Sequence, residues 1–372
     1  MKNLAIYVHI PFCLSKCVYC DFLSFSNKES YFKQYFLILE EEIKKKAEIL
    51  KDYNVSSVYF GGGTPTLPSA EFLISALNAI KCNFKGDFSL IEITIEANPE
   101  TVNREKLSEL RNGGFNRISF GAQTFSNKIL KKIGRIHTAE KFFSVFNDAR
   151  DSDFKNINID LMFALPDQTI DNVAADVTEI IKLNPEHISY YGLTLAENTP
   201  LALDSSFIPT DDVTDRLMYD LIVSELKEAG YIHYEISNFS KTGFESKHNC
   251  SYWNGTDYIG LGFGAHSLIC DERFHNTEIF AEYLKGHNKK ENCILLSESD
   301  KQSEFFFLGL RKLSGVSESD FLKKFKKSCD EIYGIQLQKL EKDNLITREN
   351  GIIKLTKLGI DLSNIVFREF IF

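Results

Sequence analysis

Three cysteines near the start of the chain, Cys13, Cys17 and Cys20, have the spacing that most directly suggests chemistry. They form a CxxxCxxC pattern directly after a predicted strand, so three thiolates can converge from one short loop. A cubane iron–sulfur cluster has one more iron than three cysteines can bind, and that iron is left open to a small molecule. The pattern therefore predicts a 4Fe-4S cluster that binds a ligand through its open iron.

A zinc site that uses His9 as its fourth ligand is the alternative, because zinc prefers closed tetrahedral sets of cysteine and histidine. Zinc signatures normally combine two pairs of CxxC or HxxxH spacing, and this segment has one such pair, Cys17 and Cys20, so the cluster is favoured. Tyr19 lies between the second and third cysteines. Its ring can shield the cluster while its backbone contacts an adenine, or the ring can simply pack against its neighbours. The sequence leaves both roles open.

A run of three glycines, Gly61 to Gly63, follows a second predicted strand and is itself followed by Thr64 and Pro65. Residues without side chains let backbone groups approach a ligand closely. The loop contains neither GxGxxG nor GK[ST], so a nucleotide phosphate cradle is poorly supported. We expect its carbonyl groups to accept hydrogen bonds from an ammonium group of a bound ligand.

Polar residues also occur near the ends of other predicted strands. In the segment from residue 91 to 97, Glu92 and Glu96 alternate with isoleucines, and Glu96 lies nearer the end of the strand. Gln123 and Asp160 have similar positions on later strands. Taken alone, each of these polar residues is better explained by a structural role than by ligand binding. Arg135, taken alone, is better explained as a solvated surface residue.

The elements that would position these residues form six repeated βα units from residue 4 to about 193. The segment Tyr31 to Leu50 has the apolar face of an amphipathic helix. Parallel strands with returning helices can curl into a partial barrel whose working face lies at the carboxyl ends of the strands, where the polar motifs fall. The predicted strands are Leu4 to Ile10, Val55 to Phe60, Leu90 to Ala97, Asn116 to Gly121, Lys155 to Leu161 and His187 to Gly192.

The length of 372 residues favours more than one domain. We assign 1–193 to the barrel core and 194–290 to an irregular extension that carries His248 to Trp253 and a glycine-rich run. Residues 291–372 are expected to form a small helical, winged-helix-like domain with a hairpin at Asn350-Gly351.

Composition limits the choice of partners and compartment. The net charge of -9 provides no broad positive field for a phosphate backbone, so nucleic acid is not expected as a partner. Eight cysteines, three of them clustered, do not form a dense disulfide framework. No signal peptide is predicted, and we expect a cytoplasmic protein.

The motifs together resemble those of the oxygen-independent coproporphyrinogen oxidase-like branch of radical S-adenosylmethionine (SAM) proteins. The resemblance covers nearly the whole chain. That resemblance implies an α/β fold with a partial (β/α)6, TIM-like radical SAM barrel and a small C-terminal domain. The motifs that carry it are Tyr7-x-His9-Ile10-Pro11-Phe12-Cys13, the following CxxxCxYC, Gly61-Gly62-Gly63-Thr64-Pro65, Asn158-Ile159-Asp160-Leu161 and, in the tail, Leu355-Thr356-x-x-Gly359.

The resemblance also assigns roles to individual residues. It implies that Cys13, Cys17 and Cys20 hold the 4Fe-4S cluster and that its open iron binds the amino and carboxylate groups of SAM. In such proteins an electron from the cluster breaks a carbon–sulfur bond of SAM. Contacts to SAM are implied for Tyr7, Tyr19, Gly62, Gly63, Thr64, Glu96, Gln123, Arg135 and Asp160.

Within this family, a decarboxylating oxidase must be separated from a heme chaperone. The oxidase branch has a further cysteine where this chain has Phe22, and a long segment before the tyrosine where this chain has six residues. The segment from His248 to Trp253 resembles the HNxxYW motif of the chaperone branch. This implies His248 as a heme ligand; Cys250 is a possible thiolate alternative and His266 a weaker candidate.

The resulting hypothesis is a heme chaperone that binds heme, a 4Fe-4S cluster and SAM and passes heme to an acceptor protein, with no catalytic residue assigned. Contact with a membrane is expected only through that acceptor. Oxidative decarboxylation of coproporphyrinogen III is the rival function. A radical SAM enzyme that modifies RNA is disfavoured by the acidic charge.

Overall fold

The computed structural model describes residues 2–371. An open barrel of parallel strands forms the centre of the protein. Within these residues six strands follow one another in chain order, each paired in parallel with the next. The predicted partial (β/α)6 barrel is thus confirmed. We number barrel strands one to six as Lys2–Ile10, Tyr53–Gly62, Glu92–Ala97, Arg117–Gln123, Ile157–Phe163 and His187–Gly192.

Helices cover the outside of the barrel, and every second residue along its strands is apolar and packs in the core. In barrel strand one, Leu4, Ile6 and Val8 are fully buried. The helix predicted from Tyr31 to Leu50 spans Phe32–Ile49. The other helices outside the C-terminal region are Ala70–Asn83, Arg104–Gly113, Asn127–Lys132, Ala139–Asp151, Ile170–Leu183, Asp212–Glu228, Lys247–Trp253 and Phe280–Tyr283.

Residues 194–290 do not form the irregular extension expected from the sequence, because their strands extend both edges of the barrel sheet. Tyr258–Leu261 pairs in parallel with barrel strand one, and Asn238–Ser240 pairs antiparallel with barrel strand six. Most of these added strands have only three to five residues, which gives little room for a clear alternation in the sequence. The remaining added strands are Ile232–Glu235, His266–Ile269, Glu272–Asn276 and Lys290–Leu295.

The C-terminal region has a hydrophobic core of its own. Its hairpin turns at Asn350 and Gly351, whose φ angles of 53° and 74° suit a tight two-residue turn. Among residues 2–371, no helix is both long and apolar enough to cross a membrane. The elements of this region are Glu298–Gly309, Val316–Ser317, Glu318–Phe325, Cys329–Lys342, Ile346–Glu349, Ile352–Leu355, Lys357–Asp361 and Ser363–Arg368.

A buried carboxylate joins the first long helix to the strands added beside barrel strand one. Glu42 accepts hydrogen bonds from the backbone N–H of Gly262 at 3.0 Å and from the Asn276 amide at 2.7 Å. The Tyr283 hydroxyl donates a third, at 2.9 Å. Buried donors need acceptors, so this carboxylate holds residues 258–283 against the barrel.

Replacing Glu42 with leucine should lower the free energy of unfolding by about 3 kcal/mol, because the buried N–H of Gly262 loses its acceptor and the Tyr283 hydroxyl and Asn276 amide each lose one. Urea denaturation measures the change. Glu41→Leu is the matched control, since Glu41 is exposed on the same helix. Equal effects of the two substitutions would contradict this account.

Candidate functional site: a cysteine loop over the barrel mouth

The loop that carries the three cysteines begins where barrel strand one ends. Cys13 closes the short strand Phe12–Cys13, which pairs in parallel with Phe25–Ser26. Further on, the backbone N–H of Cys20 bonds the carbonyl of Cys17 at 3.2 Å. All three cysteines are free thiols and line one cavity at the carboxyl end of the barrel.

Gly62 ends barrel strand two and Gly63 follows it. Both must be glycine because the cysteine loop lies so close to their backbone. A side chain at Gly63 would place its Cβ 2.9 Å from the sulfur of Cys13. At Gly62, φ is 118°, and a Cβ would lie 2.8 Å from the His9 ring. The backbone N–H of Thr64 donates to the carbonyl of Phe12 at 2.7 Å. Glycine is therefore needed here for packing against the cysteines, besides any ligand.

The structure brings most of the candidate SAM residues together around the cysteines. The cavity that contains the three thiols is also lined by Tyr19, Gly62, Gly63, Thr64, Glu96, Gln123, Arg135 and Asp160. Apart from Tyr19, which lies in the cysteine loop, these residues come from barrel strands two to five and the loops after them. Parallel strands present their carboxyl ends at one face, which is why residues so distant in sequence meet.

Glu96 and Asp160 are two carboxyl groups that line this cavity. Glu96 accepts a hydrogen bond from the Tyr59 hydroxyl at 2.8 Å, and Asp160 accepts one from Ser119 at 2.8 Å. Burial raises the pKa of Glu96 to about 7, and the nearby Asp160 adds to the shift. Burial also raises the pKa of Asp160. A carboxyl group with such a pKa in a cavity marks a candidate ligand site.

Arg135 reaches the same cavity by passing over Gly121. A Cβ at Gly121 would lie 2.8 Å from the Arg135 guanidinium and from the Gln123 amide. The buried Nε of Arg135 has no hydrogen-bond partner among residues 2–371. Gln123 has a φ of 66° at a bulge in barrel strand four. Unpaired donors and unusual backbone angles commonly occur at ligand sites.

Tyr7 is the candidate SAM residue that the structure does not place in this cavity. It lines a neighbouring cavity with His9. The Tyr7 hydroxyl lies 3.1 Å from Nδ1 of His9, and Nε2 of His9 lies 2.8 Å from the carbonyl of Leu23. Both nitrogens of His9 are therefore engaged, which disfavours its use as the fourth ligand of a zinc site.

The HNxxYW segment forms the helix Lys247–Trp253, and its side chains point to different places. His248 is buried, with Nδ1 2.9 Å from the Ser57 hydroxyl and Nε2 3.0 Å from the Tyr252 hydroxyl. Trp253 instead packs against Arg311 of the C-terminal region. Heme ligation by His248 stays a prediction, and it would require the loss of at least one of these hydrogen bonds.

Among the cavity residues that were not expected from the sequence are two on the barrel strands, Ser119 and Tyr191. Ser119 lies two residues before Gly121, so it shares a face of barrel strand four with it. Tyr191 lies in barrel strand six, and its hydroxyl is 3.4 Å from the Gln123 amide oxygen. The alternation of side chains along these strands would have indicated both residues.

The fold and the open cysteine loop define a radical SAM protein. The profile of the radical SAM superfamily matches residues 7–180, and that of the HemN C-terminal domain matches residues 296–362. The solved structure of coproporphyrinogen III oxidase (HemN) from Escherichia coli has the same fold, with a TM-score of 0.87. It is 24% identical in sequence, and the match covers 99% of this chain and 90% of that one.

Curated relatives place the chain more narrowly. It is 38% identical to the heme chaperone HemW of Lactococcus lactis subsp. lactis (strain IL1403), over 100% of this chain and 98% of that protein. It is 35% identical to the heme chaperone HemW of Bacillus subtilis (strain 168), over 98% of each. The chain belongs to the HemW family of radical SAM proteins.

The raised pKa of Glu96 predicts how stability changes with pH. A carboxyl group whose pKa is higher in the folded state contributes stability that is fully present below its unfolded pKa of about 4.3. That contribution is lost as the pH rises through about 7. Between pH 4 and pH 8, urea unfolding should therefore show the wild type losing stability relative to Glu96→Gln.

Glu100→Gln is the control for this measurement, because Glu100 is exposed just beyond the same strand. Its stability difference from the wild type should not change over that range. If the stability difference between Glu96→Gln and the wild type also stays constant over this range, the pKa of Glu96 is not raised.

Proposed function

We propose that the protein is a heme chaperone that binds heme, a 4Fe-4S cluster and SAM and transfers heme to an acceptor protein. The observation that carries the proposal is the end-to-end similarity to two bacterial proteins that are named heme chaperones. Phe22, which replaces the extra cysteine of the oxidase branch, agrees with it. The likeness to the oxidase structure supports the fold alone.

Cys13, Cys17 and Cys20 are the proposed ligands of the cluster, because their free thiols line one cavity. Burial raises the pKa of the Cys20 thiol, so binding to iron would have to stabilise its thiolate. Three ligands leave one iron open. A bound cluster supplies that iron and, when reduced, an electron to SAM.

The proposed contacts to SAM follow from the charges of its amino acid part. The unpaired Nε of Arg135 suits its carboxylate, because charge-assisted hydrogen bonds are strong. The Glu96 carboxyl group suits its ammonium. The bare backbone of Gly62 and Gly63 allows a close approach. The residues present therefore fit SAM.

Replacing Arg135 with methionine should weaken SAM binding about tenfold or more, because a charged hydrogen bond to the carboxylate is worth about 1.5–3 kcal/mol. Isothermal titration of anaerobic, cluster-loaded protein measures the dissociation constant. Lys132→Met is the matched control, since Lys132 pairs with Asp167 on the surface nearby. Unchanged affinity in Arg135→Met would remove Arg135 from the site.

The proposed partners are heme and a heme-accepting protein. The acidic chain offers no broad basic field, which argues against a nucleic acid partner. Any membrane contact is proposed to occur through the acceptor, and a cytoplasmic location stays a prediction.

The deciding experiment follows porphyrin chemistry and heme transfer in one preparation. Anaerobic, cluster-loaded protein with SAM, reductant and coproporphyrinogen III should form no protoporphyrinogen IX. The same protein, loaded with isotopically labelled heme, should pass the label to a protein in extracts of heme-depleted cells. Robust formation of protoporphyrinogen IX would contradict the proposed chaperone function and show that the protein is an oxidase.

Substitution of all three cysteines by serine tests whether the cluster controls transfer. We expect the labelled heme to move more slowly from this variant, because the cluster loop can no longer bind iron. Cys82→Ser is the control, since Cys82 is exposed on the outer helix Ala70–Asn83. Transfer at the same rate from all three proteins would exclude control by the cluster.

A further inference from the structure

A second cavity lies beside the one that contains the cysteines. Its volume is about 450 Å³, which is within the range of about 300–1,000 Å³ typical of small-molecule sites. Phe22, two residues after Cys20, lines both cavities. A ligand in the second cavity would therefore contact a side chain that also lines the cysteine cavity.

The walls of this second cavity are largely aromatic and apolar. They include Tyr7, Phe22, Leu23, Tyr252 and Tyr258. Phe22 is 64% exposed, so its ring is accessible to a ligand. Aromatic faces of this kind suit a flat, apolar macrocycle.

Histidines lie in and around this cavity, and they differ in whether their ring nitrogens are free. His9 and His248 each have both nitrogens engaged. His275 also has both nitrogens engaged, because Nδ1 lies 2.8 Å from the carbonyl of Asn276 and Nε2 lies 2.9 Å from the Asn292 amide.

His266 differs from these rings. It lines the cavity, it is exposed, and within residues 2–371 no hydrogen bond engages its ring nitrogens. Its ring lies against that of His275, with centroids 5.0 Å apart. Partial desolvation in the cavity wall, together with the neighbouring His275, also lowers the pKa of His266, which favours the neutral imidazole that metals bind.

The backbone holds His266 in a defined position. It begins the strand His266–Ile269 and pairs with His275 on the next strand. On the neighbouring strand, a Cβ at Gly260 would clash with the His266 carbonyl at 2.3 Å. Gly264, with a φ of 63°, turns the chain into this strand. A ring on such a fixed backbone can bind a metal with little further ordering.

We propose that the second cavity binds heme and that His266, rather than His248, is the protein ligand to the heme iron. The inference rests on the proposed heme chaperone function and names the site of its cargo. His248 then has a structural role, because its hydrogen bond holds the Tyr252 ring that forms part of the wall. Asp21 and Glu278 also line the cavity, so heme propionates should point away from them toward solvent.

Titration of full-length, cluster-loaded protein with hemin, followed by the Soret absorption band, tests this assignment. His266→Ala should lose the ligand-shifted band of the wild type and bind hemin about tenfold more weakly or worse. His266→Met should give a different shifted band, because a thioether replaces the imidazole. His248→Gln and the surface control His287→Ala should keep the wild-type band.

Two results would overturn the assignment while leaving the proposed function intact. One is a wild-type band and affinity in His266→Ala, and the other is loss of the band in His248→Gln alone. Failure of the wild type to bind hemin would instead remove the proposed function, and the inference with it. Circular dichroism checks folding, and if His266→Ala does not fold, the band position of His266→Met decides.

Discussion

The close contact between the cysteine loop and the end of barrel strand two is the constraint on which the site depends. The sulfur of Cys13 lies so near Gly63 that any side chain there would displace it. The backbone and hydroxyl of Thr64 both bond to the segment Phe12–Cys13. Because of this contact, the three thiols lie over the barrel mouth, next to the polar ends of the other strands.

A line of polar side chains connects this mouth to the opposite end of the barrel. Glu92 accepts the backbone N–H of His248, and the His248 ring stacks on Tyr59 with centroids 5.0 Å apart. Tyr59 in turn donates its hydroxyl to Glu96. The helix that carries His248 therefore contributes to the order of the cavity above it, although that histidine is buried.

Much of the barrel was predictable because short β-rich runs alternate with segments of helical period along the chain. The strand ends indicated that Glu96, Gln123 and Asp160 share one mouth, whereas their contacts to SAM, like that of Arg135, were implied only by the family resemblance. The strand Tyr258–Leu261 was missed, since its four residues gain their order from pairing with a strand about 250 residues away. The burial of His248 was also not predictable, because its partner Ser57 is 191 residues away in the chain and meets it only in the folded barrel.

The central claim is that Cys13, Cys17 and Cys20 hold an iron–sulfur cluster with one open iron. Metal and sulfide analysis of anaerobically purified wild-type protein tests it most directly. The account predicts iron and acid-labile sulfide in equal amounts, with no stoichiometric zinc. Stoichiometric zinc without iron or sulfide would contradict it.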